Sequence, residues 1–180
     1  MDIKTPKGQK SKKDEDVLIE AIKKDWWVDI IETPKDEPSK IDTMLIKDNV
    51  LIGITENKCR YNMYLENGYF HLPKAKNNIV DSWLVTYDKI NAGRLLAGAL
   101  CVPFYGFLYL VDNNKILWWE IADKNGKFTT EHITKNSVTQ ANINGGLVER
   151  ENAYLSLNDA HELGEKPWLK YVVNVKNKLF

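Results

Sequence analysis

At 180 residues the chain is long enough for one domain with a real core, and a hydrophobic share of 43% excludes a disordered polymer. Its 25 basic and 25 acidic residues cancel. The molecule as a whole therefore cannot act as a cationic sponge, and a nucleic-acid partner would have to be held by a local patch or through a metal. Two cysteines, Cys59 and Cys101, are too few for a disulfide framework and point to a reducing compartment. No apolar run reaches the ~18 residues that span a bilayer. The start, MDIKTPKGQKSKKDED, lacks the apolar core of a secretory signal. These features predict a soluble, cytoplasmic protein with no membrane partner.

Residues 1–10 are Lys-rich, with Pro6 and Gly8, and read as a flexible basic arm; 11–180 read as a single domain. A helix fits Ser11 to about Asp25, because Glu15, Leu18, Ile19, Ile22 and Trp26 recur at spacings of three and four. Trp27 to Glu32 reads as a strand, and Thr33 to Ser39, with Pro34 and Pro38, as a loop. Ile41 to Lys47 and Val50 to Arg60 are strand-type runs joined by Asp48-Asn49, which is good hairpin chemistry. Shorter strands are expected at Tyr69 to Leu72 and Ser82 to Tyr87. Asp88 to Cys101 reads as a helix stopped by Pro103. Phe104 to Val111 and Ile116 to Ile121 form a second apolar hairpin. A strand at Phe128 to Ile133, a loop at Asn136 to Gly146 and a short helix at Asn158 to Gly164 complete the reading. The order predicts an α/β (α+β) fold, a mixed central sheet flanked by helices.

The stretch PSKIDTMLIKDNVLIGITENKCR carries the chemistry. Val50 to Thr55 is apolar enough for a central strand, yet it runs into Glu56 and Lys58. Charges at the end of such a strand are costly unless something compensates them. Side chains alternate along a strand, so Glu56 and Lys58 share a face. A turn centred near Asp48-Asn49 sets Asp42 beside or opposite Glu56. Two facing carboxylates repel, and a divalent cation removes that repulsion; Mg²⁺, or Mn²⁺ in its place, suits an oxygen site of this kind. A lysine two residues on can orient an attacking water or stabilise a charged transition state. Two acids, one metal and one lysine suffice to hydrolyse a phosphodiester.

The pattern Asp, hairpin, Glu-x-Lys, preceded by a helix and followed by a helix and two strands, resembles the PD-(D/E)xK, or restriction-endonuclease-like, nuclease superfamily. The resemblance covers roughly Glu15 to Ile121. Within it, DSWLVTYDKINAGRLLAGALCVPFYGFLYLVD looks like a branch carried by phages and prophages. It implies a restriction-endonuclease-like core, with Asp42 and Glu56 as metal ligands and Lys58 as the catalytic lysine. It also implies a third metal ligand from the first helix, where Glu15 fits, and an accessory polar group from the second, where Lys89 or Asp88 fits. The proline that names the motif is not adjacent: Ile41 precedes Asp42, and Pro38 lies further back. The expected function is a Mg²⁺-dependent deoxyribonuclease; a double-strand cut would favour a twofold homodimer. The alternatives are a catalytically inactive nuclease-fold module that binds nucleic acid or protein, and a phage structural or anti-defence protein whose charges coincide.

Plainer readings stand beside each residue. Asp42, Glu56 and Lys58 could form a salt-bridge ladder on an edge strand, although Val50 to Thr55 is too apolar for an edge. Glu15 could be a first-turn carboxylate favoured by the helix dipole, and Lys89 a solvated helix lysine. Of Trp26-Trp27 and Trp118-Trp119, one of each pair is expected in the core. His71, His132 and His161 lack zinc spacing. Cys59, between Lys58 and Arg60, would have a lowered pKa if those charges dominated.

Overall fold

The apolar run beginning at Val50 becomes an interior strand, and the rest of the molecule is arranged around it. The computed structural model describes residues 6–34, 39–72, 78–140 and 147–164. Helix α1, Pro6–Trp26, starts earlier than expected. Proline suits the first helical position, where its missing N–H is not needed. Residues 6–10 of the expected arm are therefore helical, while 1–5 lie outside the described residues. Leu18, Ile19, Ile22 and Trp26 form its buried stripe.

Strands β1 (Asp29–Glu32), β2 (Thr43–Lys47) and β3 (Val50–Arg60) follow as an antiparallel set. Next come β4 (Tyr64–Glu66), β5 (Tyr69–Leu72) and β6 (Asn78–Val80), a small separate sheet, and then β7 (Ser82–Thr86). Helix α2, Tyr87–Leu100, leads into β8 (Phe104–Leu110) and β9 (Lys115–Ala122). The chain continues through β10 (His132–Gln140), β11 (Leu147–Ser156) and β12 (His161–Glu162). The main sheet is six-stranded and mixed, in the order β1-β2-β3-β8-β9-β12, with β3 and β8 parallel. A third sheet has the order β10-β11-β7. The protein is thus mixed α+β, with a multi-strand mixed sheet and two helices among the described residues.

The helices cover opposite faces of the main sheet. On one face Leu18, Ile22 and Trp26 of α1 pack with Leu45, Tyr105, Phe107, Tyr109 and Trp118. On the other, Ile90 and Ala97 of α2 join Ile54, Phe104, Leu108, Leu110 and Trp119, with Trp83 and Val85 of β7 closing the layer. Alternation along β8 explains the division: odd positions face α1 and even positions face α2. Trp118 and Trp119 are both buried because each enters a different core, contrary to the expectation of one. Trp26 is fully buried and Trp27 is 72% exposed, as expected of that pair.

The hairpin turn is formed by Asp48 and Asn49, with φ of 51° and 61°. Two left-handed residues match the twist of the flanking strands, and Asp and Asn tolerate that conformation well. Further along the chain the expectations fail. Phe128 makes only an isolated bridge to Ala122, and the strand begins at His132. Asn136 to Gln140, expected as loop, pairs with β11; 141–146 lie outside the described residues. Leu157–Asp159 is a single 3-10 turn, and His161–Glu162 is a strand rather than helix.

Candidate active site

A shift in the hairpin register builds the site. Next to the turn, Lys47 pairs with Val50 and Ile46 with Leu51. Continued unbroken, that register would set Asp42 against Thr55 and leave Glu56 on the other face of the sheet. Instead the ladder shifts between Leu45 and Ile46, so that Leu45 meets Gly53 and Thr43 meets Thr55. One extra residue on β3 is the mark of a bulge. One step beyond Thr43–Thr55, Asp42 falls opposite Glu56, on the α2 face. Thr43 and Thr55 point the other way, with their hydroxyls 2.5 Å apart and Thr55 donating to Asn57 Oδ1 at 2.9 Å.

Asp42 is held rigidly. Its N–H donates to the Thr55 carbonyl at 2.8 Å, and its Oδ2 accepts from the Asn57 N–H at 2.8 Å. Glu56 is 0% exposed. Lys58 and Arg60 follow at alternate positions on the same face of β3. Gly106 is the neighbour of Glu56 on β8, and a Cβ there would stand 2.6 Å from the Trp83 ring. The bare backbone at Gly106 admits that ring beside Glu56, which helps seal the carboxylate from water.

Helix α2 supplies the last member. Its buried residues are Ile90, Gly93 and Ala97, and Lys89 lies one turn before Gly93 on the sheet-facing side. Lys89 Nζ donates to Asp42 Oδ1 at 3.1 Å and to Glu56 Oε2 at 2.8 Å. Lys58 Nζ is 2.6 Å from Glu56 Oε1. That approach is an ion pair without hydrogen-bond alignment, so the buried Oε1 carries no hydrogen bond. Burial alone would lower the pKa of Lys89, but the charges of Glu56 and then Asp42 outweigh it and hold the ammonium above its ordinary value. A lysine in the first turn opposes the helix dipole; here two carboxylates offset that cost. Burial pulls the Arg60 guanidinium down, with Cys59 and Glu56 opposing.

The structure thus brings together Asp42, Glu56, Lys58 and Lys89. It does not bring Glu15 to them. Cys59 projects from the face of β3 opposite Lys58 and packs with the α1 core, and Glu15 acts electrostatically on that thiol. Among the described residues no group of three or more His, Cys, Asp or Glu side chains converges. The third metal ligand implied for Glu15 has no such convergence to support it among the described residues. Helical periodicity shows which side of α1 meets the sheet, but not which side of the sheet α1 meets. Asp88 is exposed and has no place in the cluster, and Pro38 lies outside the described residues. Cys59 also corrects an expectation: burial, then Glu15 and Asp14, push its thiol up to about 12 despite Lys58 and Arg60.

Arg60 was missed from the sequence, although E-x-K-x-R at alternate positions was the available signal. The donor set fits a hard divalent cation. Since Lys89 Nζ touches Asp42 and Glu56 at once, these two carboxylates are the residues that would hold such a cation. No helix among the described residues is long and apolar enough to cross a membrane. Searches against protein-family models, curated proteins and solved structures found no match to the chain.

Proposed function

We propose that the protein is a metal-dependent nuclease with a restriction-endonuclease-like core, hydrolysing phosphodiester bonds in nucleic acid, with DNA the expected substrate. The convergence of Asp42 and Glu56 on one point, with Lys58 beside them, carries this reading. The order of helix, strand and hairpin, then, after four short strands, helix and two strands supports it. Asp42 and Glu56 would hold the metal; a bound Mg²⁺ or Mn²⁺ supplies charge neutralisation and water activation. Asp42 is pre-set for this work by its two backbone hydrogen bonds, so the carboxylate edge that accepts from Lys89 stays beside Glu56. Lys58 lies where it can donate to a phosphate oxygen and offset charge that develops during attack. Arg60, two residues further on the same face, extends the cationic track for the neighbouring phosphate. Such a local patch is the kind of nucleic-acid contact open to a chain of zero net charge.

A second reading has one observation in its favour. Lys89 already neutralises both carboxylates, as expected of a nuclease-fold module that binds nucleic acid or protein without cutting. Incubation with plasmid, single-stranded and branched DNA, and with RNA, in Mg²⁺, Mn²⁺ or EDTA separates the two. Cutting is expected with either metal and not with EDTA, Asp42→Asn or Glu56→Gln. Lys58→Ala should lower the single-turnover rate by roughly 10²–10³ while changing DNA affinity only a few-fold. Lys58→Arg should not restore the rate fully, because the planar guanidinium has a different shape. Tight DNA binding without cutting in any metal would replace the nuclease by the binding module. Equal cutting by wild type and Lys58→Ala would remove the lysine from the mechanism.

A further inference from the structure

The cluster contains its own cation, placed at the point where the two carboxylates converge. Lys89 Nζ contacts Asp42 Oδ1 and Glu56 Oε2, whereas Lys58 contacts only the other oxygen of Glu56. A divalent ion bridging the carboxylates would claim the two oxygens that Lys89 now holds. The two acids and two lysines sum to zero formal charge. Adding a divalent cation to that set would leave two uncompensated positive charges around a fully buried side chain, a costly arrangement.

The four groups differ in their freedom to respond. Asp42 is tied to the backbone of β3 through Asn57, and Glu56 is fully buried. Lys89 is about one-third exposed, at 31%, and ends a flexible four-carbon stem. Lysine is therefore the member that can leave. With Lys89 released, the metal, Lys58 and the two carboxylates carry one net positive charge, which matches the single negative charge of a phosphodiester.

We infer that Lys89 is an exchangeable counter-ion: its ammonium and a hard divalent cation occupy the carboxylate pair in mutually exclusive fashion, and metal loading releases Lys89 toward solvent. The inference rests on the metal-dependent reading above and adds to it a built-in competitor that weakens metal binding in the resting site. In Lys89→Met, which keeps the length and removes the charge, Mn²⁺ measured by calorimetry should bind at least ~10-fold more tightly than in wild type. At one Mn²⁺ concentration the melting temperature should also rise more in the variant than in wild type, by mass action. Equal or weaker Mn²⁺ binding by folded Lys89→Met overturns the exchange and leaves the metal reading standing. Absence of Mn²⁺ binding in both proteins overturns the metal reading together with the exchange. Should Lys89→Met not fold, wild type alone decides. Acetylation mapped by mass spectrometry should label Lys89 several-fold faster with Mn²⁺ present, while Lys23 and Lys115 stay unchanged; unchanged labelling of Lys89 in Mn²⁺-bound protein overturns the exchange.

Discussion

Lys58 and Cys59 are adjacent in sequence and opposite in environment. Lys58 faces the carboxylate pair, and Cys59 faces the α1 core with Glu15 and Asp14 in electrostatic reach. Burial disfavours the thiolate, which is the reactive form, so the Cys59 thiol is held at about 12 rather than at its ordinary 9.0. The sign of the linkage follows. Below pH 9.0 the folded and unfolded chains both carry the neutral thiol, and its burial contributes fully to stability. As pH rises from 9.0 toward about 12, the unfolded chain gains the thiolate first and that contribution is lost. Cys101, by contrast, is exposed at the end of α2. Iodoacetamide at pH 8 should therefore label Cys101 alone in the folded protein and reach Cys59 only after denaturation. Comparable labelling of both sulfurs, read by peptide mass spectrometry, would show that the α1 face of β3 is open to solvent.

At the level of elements, the closeness of α2 to the sheet sets where Lys89 can reach. A Cβ added at Gly93 would stand 2.4 Å from ring atoms of Phe104, so the helix sits directly on β8 at that point. In an open helix, Gly→Ala stabilises by up to ~1 kcal/mol; here overpacking against a buried ring should dominate and destabilise by about 1–3 kcal/mol. Denaturant midpoints of wild type and Gly93→Ala give the sign, and a stabilised variant would mean that α2 does not press on β8. Much of this architecture was legible in the sequence. Val50 to Arg60, the Asp48-Asn49 turn and Tyr69 to Leu72 were placed at their observed positions because apolar alternation and turn residues agree there. The β10–β11 hairpin was not legible in the same way. Ile133 and Val138 are exposed on β10, as are Leu147 and Val148 on β11, so burial wrote no alternation along much of its length. The site was partly legible. The turn brings Asp42 within one residue of Glu56, but their sharing a face depends on the bulge, and Glu15 depended on which face of the sheet α1 covers, a tertiary choice absent from local periodicity. Lys89 looked like a solvated lysine because its two partners lie 47 and 33 residues away in sequence.

For the whole molecule, the distribution of charge limits how nucleic acid can be held. The formal net charge is zero, and two of the α1 lysines are already engaged with acids. Lys12 pairs with Asp16 and Glu32, and Lys23 pairs with Glu20. Surface pairs of this kind contribute little stability, yet each reduces the positive field available to a phosphate. Around the site Lys58 and Lys89 are likewise paired, with Glu56 and Asp42, which leaves Arg60 as the cation of that face outside an ion pair among the described residues. Counterion release makes log affinity fall with log salt at a slope of about −0.9 per phosphate neutralised on duplex DNA. With one uncompensated cation on that face in the absence of metal, the slope should be about −1, far shallower than that of a protein with a broad basic surface. Titrating duplex DNA with wild type in EDTA, where cutting is not expected, across a series of salt concentrations measures it. Arg60→Met should reduce the slope by about one while leaving the fold intact, because Met keeps the apolar stem of the side chain and Arg60 joins no ion pair among the described residues. A slope steeper than about −3 would require more cations than this face offers even with both lysines released, and would move the nucleic-acid contact to a second surface such as the lysines of α1.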